Sequence, residues 1–313
     1  MSNSSAAVSQ PEPSMDLKKG LPLVLSKVLA IARNTFTQLV RMKVFYFLFA
    51  FSLILLVAGF FFADTQFEQK LKFFKDISYG FMLLFTTIFA IVGSALLIPR
   101  DIEDRTLYTI LCKPVTRFEY LLGKYLGVIA LVGLSLLFMD LIFSGALYVQ
   151  EQRLLGPVLE AQAAVPAESA AGVQYATEAD SIRKLGLNAN TQKGVLSIFL
   201  TGAVLAAMAM LLSTFATSTM FTVTVGLCIF IVGYFQSLAR EYFLSGSEGT
   251  WQKLLSVLVA LIFPDFKAFH LSDAAASGEL IANGLLLQLV GLALVYVVIY
   301  NLVAYLVFAD KEV

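Results

Sequence analysis

Residues 195–212 read VLSIFLTGAVLAAMAMLL, a run without one charged side chain. At 1.5 Å of rise per residue this run makes a helix of about 27 Å. That nearly matches the ~30 Å hydrocarbon layer of a bilayer. Apolar and polar residues do not alternate along it, as a barrel strand would require, and lipid offers no hydrogen-bond partner to an open strand edge. The run therefore predicts a membrane-crossing helix.

Working outward, blocks of the same kind recur at about 44–62, 77–98, 125–148, 220–238 and 284–308. With 195–212 they predict an all-α integral membrane protein with six transmembrane helices. Composition agrees: 58% of residues are hydrophobic and 14% charged, with a mean hydropathy of +0.81. So few charges cannot clothe a soluble core of this size. The 22 basic and 22 acidic residues cancel, which removes the basic face a nucleic-acid partner needs. Cys112 and Cys228 form no disulfide framework or metal motif. Residues 1–20 read as a disordered leader, and 21–313 as a single transmembrane domain. No apolar core follows Met1 closely enough for a cleaved signal peptide.

A further apolar block at 254–263 is too short to cross. It predicts a re-entrant or interfacial helix before the last span, with a seventh span as the alternative. Lys27, Arg33, Arg41 and Lys43 precede the first span, whereas Asp64 and Glu68 follow it. The bias of basic residues toward the cytoplasm then puts both termini on that side. Residues 23–42 carry Leu25, Val28, Leu29, Ala32, Phe36, Leu39 and Val40 on one stripe, with basic flanks. They predict an amphipathic elbow helix lying on the bilayer. The loop at about 150–194 is alanine-rich and nearly charge-balanced, and nothing specific follows from it.

The segment between the second and third spans, 98–127, reads IPRDIEDRTLYTILCKPVTRFEYLLGKYLG. Asp101, Glu103 and Asp104 suit the positive end of a helix beginning there. Ile102, Leu107, Ile110 and Leu111 would give that helix an apolar side, and Pro114 would stop it. Thr116 and Glu119 form a capping box for the third span, with Val115 and Tyr120 at staple spacing. The chemistry predicts a short amphipathic helix, a proline break and a freshly capped span. A docking surface for another protein needs such an arrangement; a plain connecting loop does not.

This segment resembles the pattern of type-2 ATP-binding-cassette (ABC-2) permeases, E-x-E-x-G-T-L-x-x-L-L-x-x-P-V-x-R-x-E-x-L-L-G-K. Asp101, Glu103, Thr106, Leu107, Ile110, Leu111, Pro114, Val115, Arg117, Glu119, Leu121, Leu122, Gly123 and Lys124 match in order. Arg105 stands where glycine is usual, and Asp101 replaces glutamate. The elbow stretch IARNTFTQLVRMKVFYF at 31–47 is also similar to the family's opening, and the chain is most similar to permease components linked with multicopper-enzyme maturation. The resemblance implies a cytoplasmic coupling helix that seats in a separate ABC ATPase subunit and carries its motion to the spans. It further implies an exporter in a bacterial inner membrane and a permease homodimer or heterodimer. ATP would sit on the partner, because this chain has no G-x-x-x-x-G-K-S/T phosphate loop and no cofactor of its own.

Other candidates are fewer. Asp140 is the one acidic residue well inside a span, where a charge costs at least a few kcal/mol unless paired or wet. A functional carboxylate and a snorkelling or locally paired one both fit that position. His270 has no carboxylate or cysteine companions at ligand spacing. Gly123 and Gly127 are spaced for close helix approach. An integral membrane enzyme acting on lipid would need polar residues converging from several spans. A secondary transporter would show paired broken spans or more intramembrane charge. Neither explains the 98–127 segment.

Overall fold

The computed structural model describes residues 17–63, 70–103, 115–166, 169–216, 218–245 and 263–310. Among them every regular element is an α-helix: α1 (Leu17–Val40), α2 (Lys43–Ala63), α3 (Lys70–Glu103), α4 (Arg117–Ala163), α5 (Ala170–Leu185), α6 (Ala189–Phe215), α7 (Thr219–Ser245), α8 (Ser272–Ala276) and α9 (Asn283–Asp310). Each of the six expected spans falls inside one helix. Five stretches among the described residues are long and apolar enough to cross a membrane. The pair Val24–Val40 and Phe45–Phe61, bent by 68°, brings the number to six.

That bend is the elbow. The chain turns at Arg41 and Met42, where the Met42 amide donates to the Leu39 carbonyl at 3.1 Å. Helix α1 begins at Leu17, inside the stretch expected as leader; residues 1–16 lie outside the described residues. Its apolar stripe divides into two uses. Val28, Ala32 and Leu39 are buried against the bundle, whereas Leu25 and Leu29 are 68% and 67% exposed. The exposed pair suits acyl chains, so α1 is both packed and interfacial.

Helix α6 is the central column. Gly202, Ala203, Ala206, Ala207 and Ala209 make it narrow, and all are buried. Helices α3, α4, α7 and α9 pack around it. A Cβ on Gly202 would overlap the Thr86 methyl of α3, so the two backbones meet there. Small residues at helix contacts are the usual means of close packing where lipid supplies no hydrophobic drive.

Two helices exceed their predicted bounds the most. With 47 residues, α4 reaches roughly 70 Å, more than twice the ~30 Å apolar layer. Its far end continues through the Ala-, Gln- and Glu-rich part of the expected loop, residues with good helix propensity, and α5 packs back on it. Helix α3 passes through Pro99 to Glu103. A short helix beginning at Asp101 is therefore corrected, because Asp101 and Glu103 lie in the last turn of α3. Proline cannot donate to the carbonyl four residues earlier. The Ser213 hydroxyl of α6 donates to that carbonyl, on Ala95, at 3.3 Å.

Of the expected re-entrant block, 254–262 lies outside the described residues. The chain that follows returns to the bundle at the end away from 101–124. Phe266 and Phe269 are buried, and the Phe266 amide donates to the Gly233 carbonyl of α7 at 3.2 Å. Lys75 of α3 is buried there and donates to the Ala275 carbonyl of α8 at 3.2 Å.

Candidate functional site

The expected docking segment is described at its two anchors. Arg105, Thr106, Leu107, Ile110, Leu111 and Pro114 lie outside the described residues, and of Glu103 the backbone alone is described. Asp101, Arg117, Glu119, Gly123 and Lys124 are placed in full.

The second anchor starts where local sequence dictates. The Thr116 hydroxyl accepts from the Glu119 amide at 3.2 Å, and the Glu119 carboxylate accepts from the Thr116 amide at 2.8 Å. This reciprocal box satisfies donors that a helix start leaves free. Glu119 is thus buried in the cap of α4.

One turn further, three side chains close on the first anchor. Lys124 Nζ stands 2.7 Å from Asp101 Oδ2. The Tyr120 hydroxyl donates to the same oxygen at 2.5 Å. Lys124 also lies 5.6 Å from the Tyr120 ring centroid and donates to Gln38 Oε1 of α1 at 3.5 Å. The side chains of Asp101 and Lys124 are only 7% and 2% exposed. Asp101 is therefore no rim charge of a docking face. A carboxylate in the last turn of α3 opposes the helix macrodipole, and Lys124 supplies the compensating charge. A buried pair is tolerable when its remaining hydrogen-bonding capacity is met, and Tyr120 and Gln38 contribute to that here.

Arg117 faces the other way. Its Nη1 donates to the Phe308 and Ala309 carbonyls at 2.8 and 2.7 Å, capping the last turn of α9 where a cation is favoured. The Tyr120 ring stacks on Phe308 at 6.0 Å between centroids. Gly123 and Gly127 admit α1 closely. A Cβ on Gly123 would stand 2.7 Å from Ile31 Cβ, and one on Gly127 2.6 Å from Thr35 Cβ. Four helices, α1, α3, α4 and α9, are thus tied at one end of the bundle. Displacing the chain between Glu103 and Val115 would load both sides of this tie.

Sequence reasoning passed over Tyr120 and Gln38 as participants. Tyr120 could have been found, since a tyrosine one turn before a span lysine on the same helix face is a ready partner. Gln38 carried no signal, because its contact is made by tertiary packing.

Asp140 forms a second, separate cluster. Ser144 donates to Asp140 Oδ1 at 3.3 Å, and Gln192 of α6 donates to the Ser144 oxygen at 3.0 Å. Asp140 lines a groove of about 290 Å³ between α4 and α6, walled by Leu136, Leu137, Val195, Leu196 and Phe199. Ser144 and Gln192 were not singled out in the sequence, because neither is charged and their meeting depends on the α4–α6 contact. His270 sits apart and, against expectation, has a carboxylate companion three residues on, its Nε2 3.2 Å from Asp273 Oδ1.

Residues 34–159 match the family model described as ABC-2 family transporter protein. The matched stretch contains the whole 101–124 segment, both its anchors and Asp140. No curated protein matches the chain. The resemblance read from 98–127 therefore holds over residues 34–159. Together with the helices long and apolar enough to cross a membrane, this likeness supports a multi-pass membrane protein with an ABC-2-like segment.

Proposed function

We propose that the ABC-2 likeness of residues 34–159 extends to the work of the whole chain, as the permease subunit of an ATP-driven exporter in a bacterial inner membrane. Both termini and the 101–124 segment face the cytoplasm. A separate ABC ATPase binds and hydrolyses ATP, and two permease chains, identical or related, form the pathway. The observation that carries this reading is the buried Asp101–Lys124 pair with Tyr120 and Gln38. It fastens the two ends of the connecting segment to each other and to the elbow. A force applied to residues 104–114 would reach α1, α3, α4 and α9 together rather than bending one helix.

In this mechanism the ATPase grips an apolar centre formed by Leu107, Ile110 and Leu111, with Glu103 and Arg105 at its charged rim. Buried anchors carry most of the energy of an interface, while rim charges set encounter and register. Thr106 and Pro114 shape the segment's ends. The test is a pull-down of the partner ATPase, with ATPase stimulation measured in liposomes. Leu107→Asp or Leu111→Asp should abolish both association and stimulation, and Glu103→Gln should reduce them only mildly. Correctly inserted Leu→Asp variants that bind and stimulate normally would remove this segment from the coupling role.

A further inference from the structure

The geometry points to the Asp140 groove as a binding site for a single-tailed cationic amphiphile, its ammonium head against the carboxylate and its alkyl chain along the α4–α6 wall. This goes beyond the permease assignment, and the site needs no ATPase to exist.

Three observations carry it. First, Asp140 is a carboxylate at membrane depth, and it makes no ion pair among the described residues. From Lys124 it lies roughly 24 Å along α4 at 1.5 Å per residue, so it sits near the boundary opposite the 101–124 end. Bare charge at that level calls for a counter-charge or water.

Second, the carboxylate is held. Gln192 donates to Ser144, and Ser144 donates to Asp140. A relay of this kind fixes the direction of the acceptor. A residue merely tolerated at a lipid face would need no such support from a second helix.

Third, the groove matches an amphiphile in shape and charge. Apart from Asp140 and Gln192, its lining is apolar: Leu136, Leu137, Val195, Leu196 and Phe199 around Gly133. Its wall residue Leu137 is 67% exposed, so a chain can enter sideways from the bilayer. The nearest basic neighbour in sequence, Lys193, is turned away and donates to the Ile281 carbonyl at 2.6 Å. The groove lining thus offers no cationic side chain to a phosphate. This favours a net cation over a zwitterionic phospholipid. A volume of about 290 Å³ holds a trimethylammonium head and the first methylenes, with the rest of the tail left in lipid.

The test uses the full chain in phosphatidylcholine nanodiscs and radiolabelled dodecyltrimethylammonium, with empty nanodiscs subtracted. We expect saturable binding of one amphiphile per chain. Asp140→Asn should weaken it at least tenfold, Asp140→Glu should retain most of it, and Leu196→Trp should block it by filling the wall. Dodecanol should not compete. Unchanged binding in Asp140→Asn, or equal competition by dodecanol, would overturn the proposal. Equal competition by phosphatidylethanolamine would reassign the groove to ordinary lipid. No saturable binding, together with an Asp140→Asn change in oligomeric state, would reassign it to a second copy of the chain. Loss of ATPase docking in the Leu107 variants leaves all these readouts unmoved, so the two readings fail separately.

Discussion

Asp101 and Lys124 stand 2.7 Å apart at the facing ends of two successive membrane helices, and both are almost wholly buried. Breaking a buried pair of this kind by removing one partner costs about 3–5 kcal/mol. Asp101→Asn and Lys124→Met should therefore each lower thermal stability in detergent sharply. The double variant should recover much of the loss, because neither member of the pair is then buried without the other. Additive losses in the double variant would mean that the pair is not coupled. ATPase stimulation of a folded double variant would then report whether the tie matters to transport as well as to folding.

The elbow contact should be sensitive to single methyl groups. Gly127→Ala puts a Cβ 2.6 Å from Thr35 Cβ and 2.8 Å from the Ala32 carbonyl, and overpacking of this kind costs about 1–3 kcal/mol. Gly145→Ala on the same helix meets nothing within 4 Å. It should leave the unfolding temperature unchanged or raise it, since alanine is the better helix former. Equal behaviour of the two variants would contradict the close α1–α4 approach.

Ser213→Ala should cost roughly 1 kcal/mol by leaving the Ala95 carbonyl without a donor. The same change made in a Pro99→Ala background should cost almost nothing, because the substituted residue supplies the helix amide that proline lacks. A double-mutant cycle on unfolding midpoints measures the difference. Independence of the two sites would show that the serine does not compensate for the proline.

Helix α9 ends against Arg117, so the C-terminal end of the last span shares a face with the start of the third. Reporter fusions after residue 310 and within 104–114 should accordingly register on the same side, and a fusion at residue 270 on the other. Opposite sides for the first two would require a different number of crossings between them.

Much of this was legible in the sequence, and most of the exceptions come from tertiary packing. The spans could be read because hydropathy is summed over a contiguous window. The Thr116–Glu119 box could be read because its partners are three residues apart. Gly123 and Gly127 announced a close contact, though not that α1 would fill it. Asp101 was misread as a helix start because its partners come from tertiary packing and local rules see only the acidic cluster. Helix α3 outran its expected end because the group that relieves Pro99 is 118 residues from Ala95 in sequence. The long helical arm of α4 was within reach, since its alanine, glutamine and glutamate content favours helix.

The Arg117 clamp also dictates an order of events during synthesis. Its acceptor carbonyls lie 191 and 192 residues downstream, on a helix that leaves the ribosome long after the third span has entered the bilayer. Until then the Arg117 fork lacks these two acceptors, and the tie among the helices is incomplete. A nascent chain stopped short of α9 would thus hold the start of the third span without its closing contact.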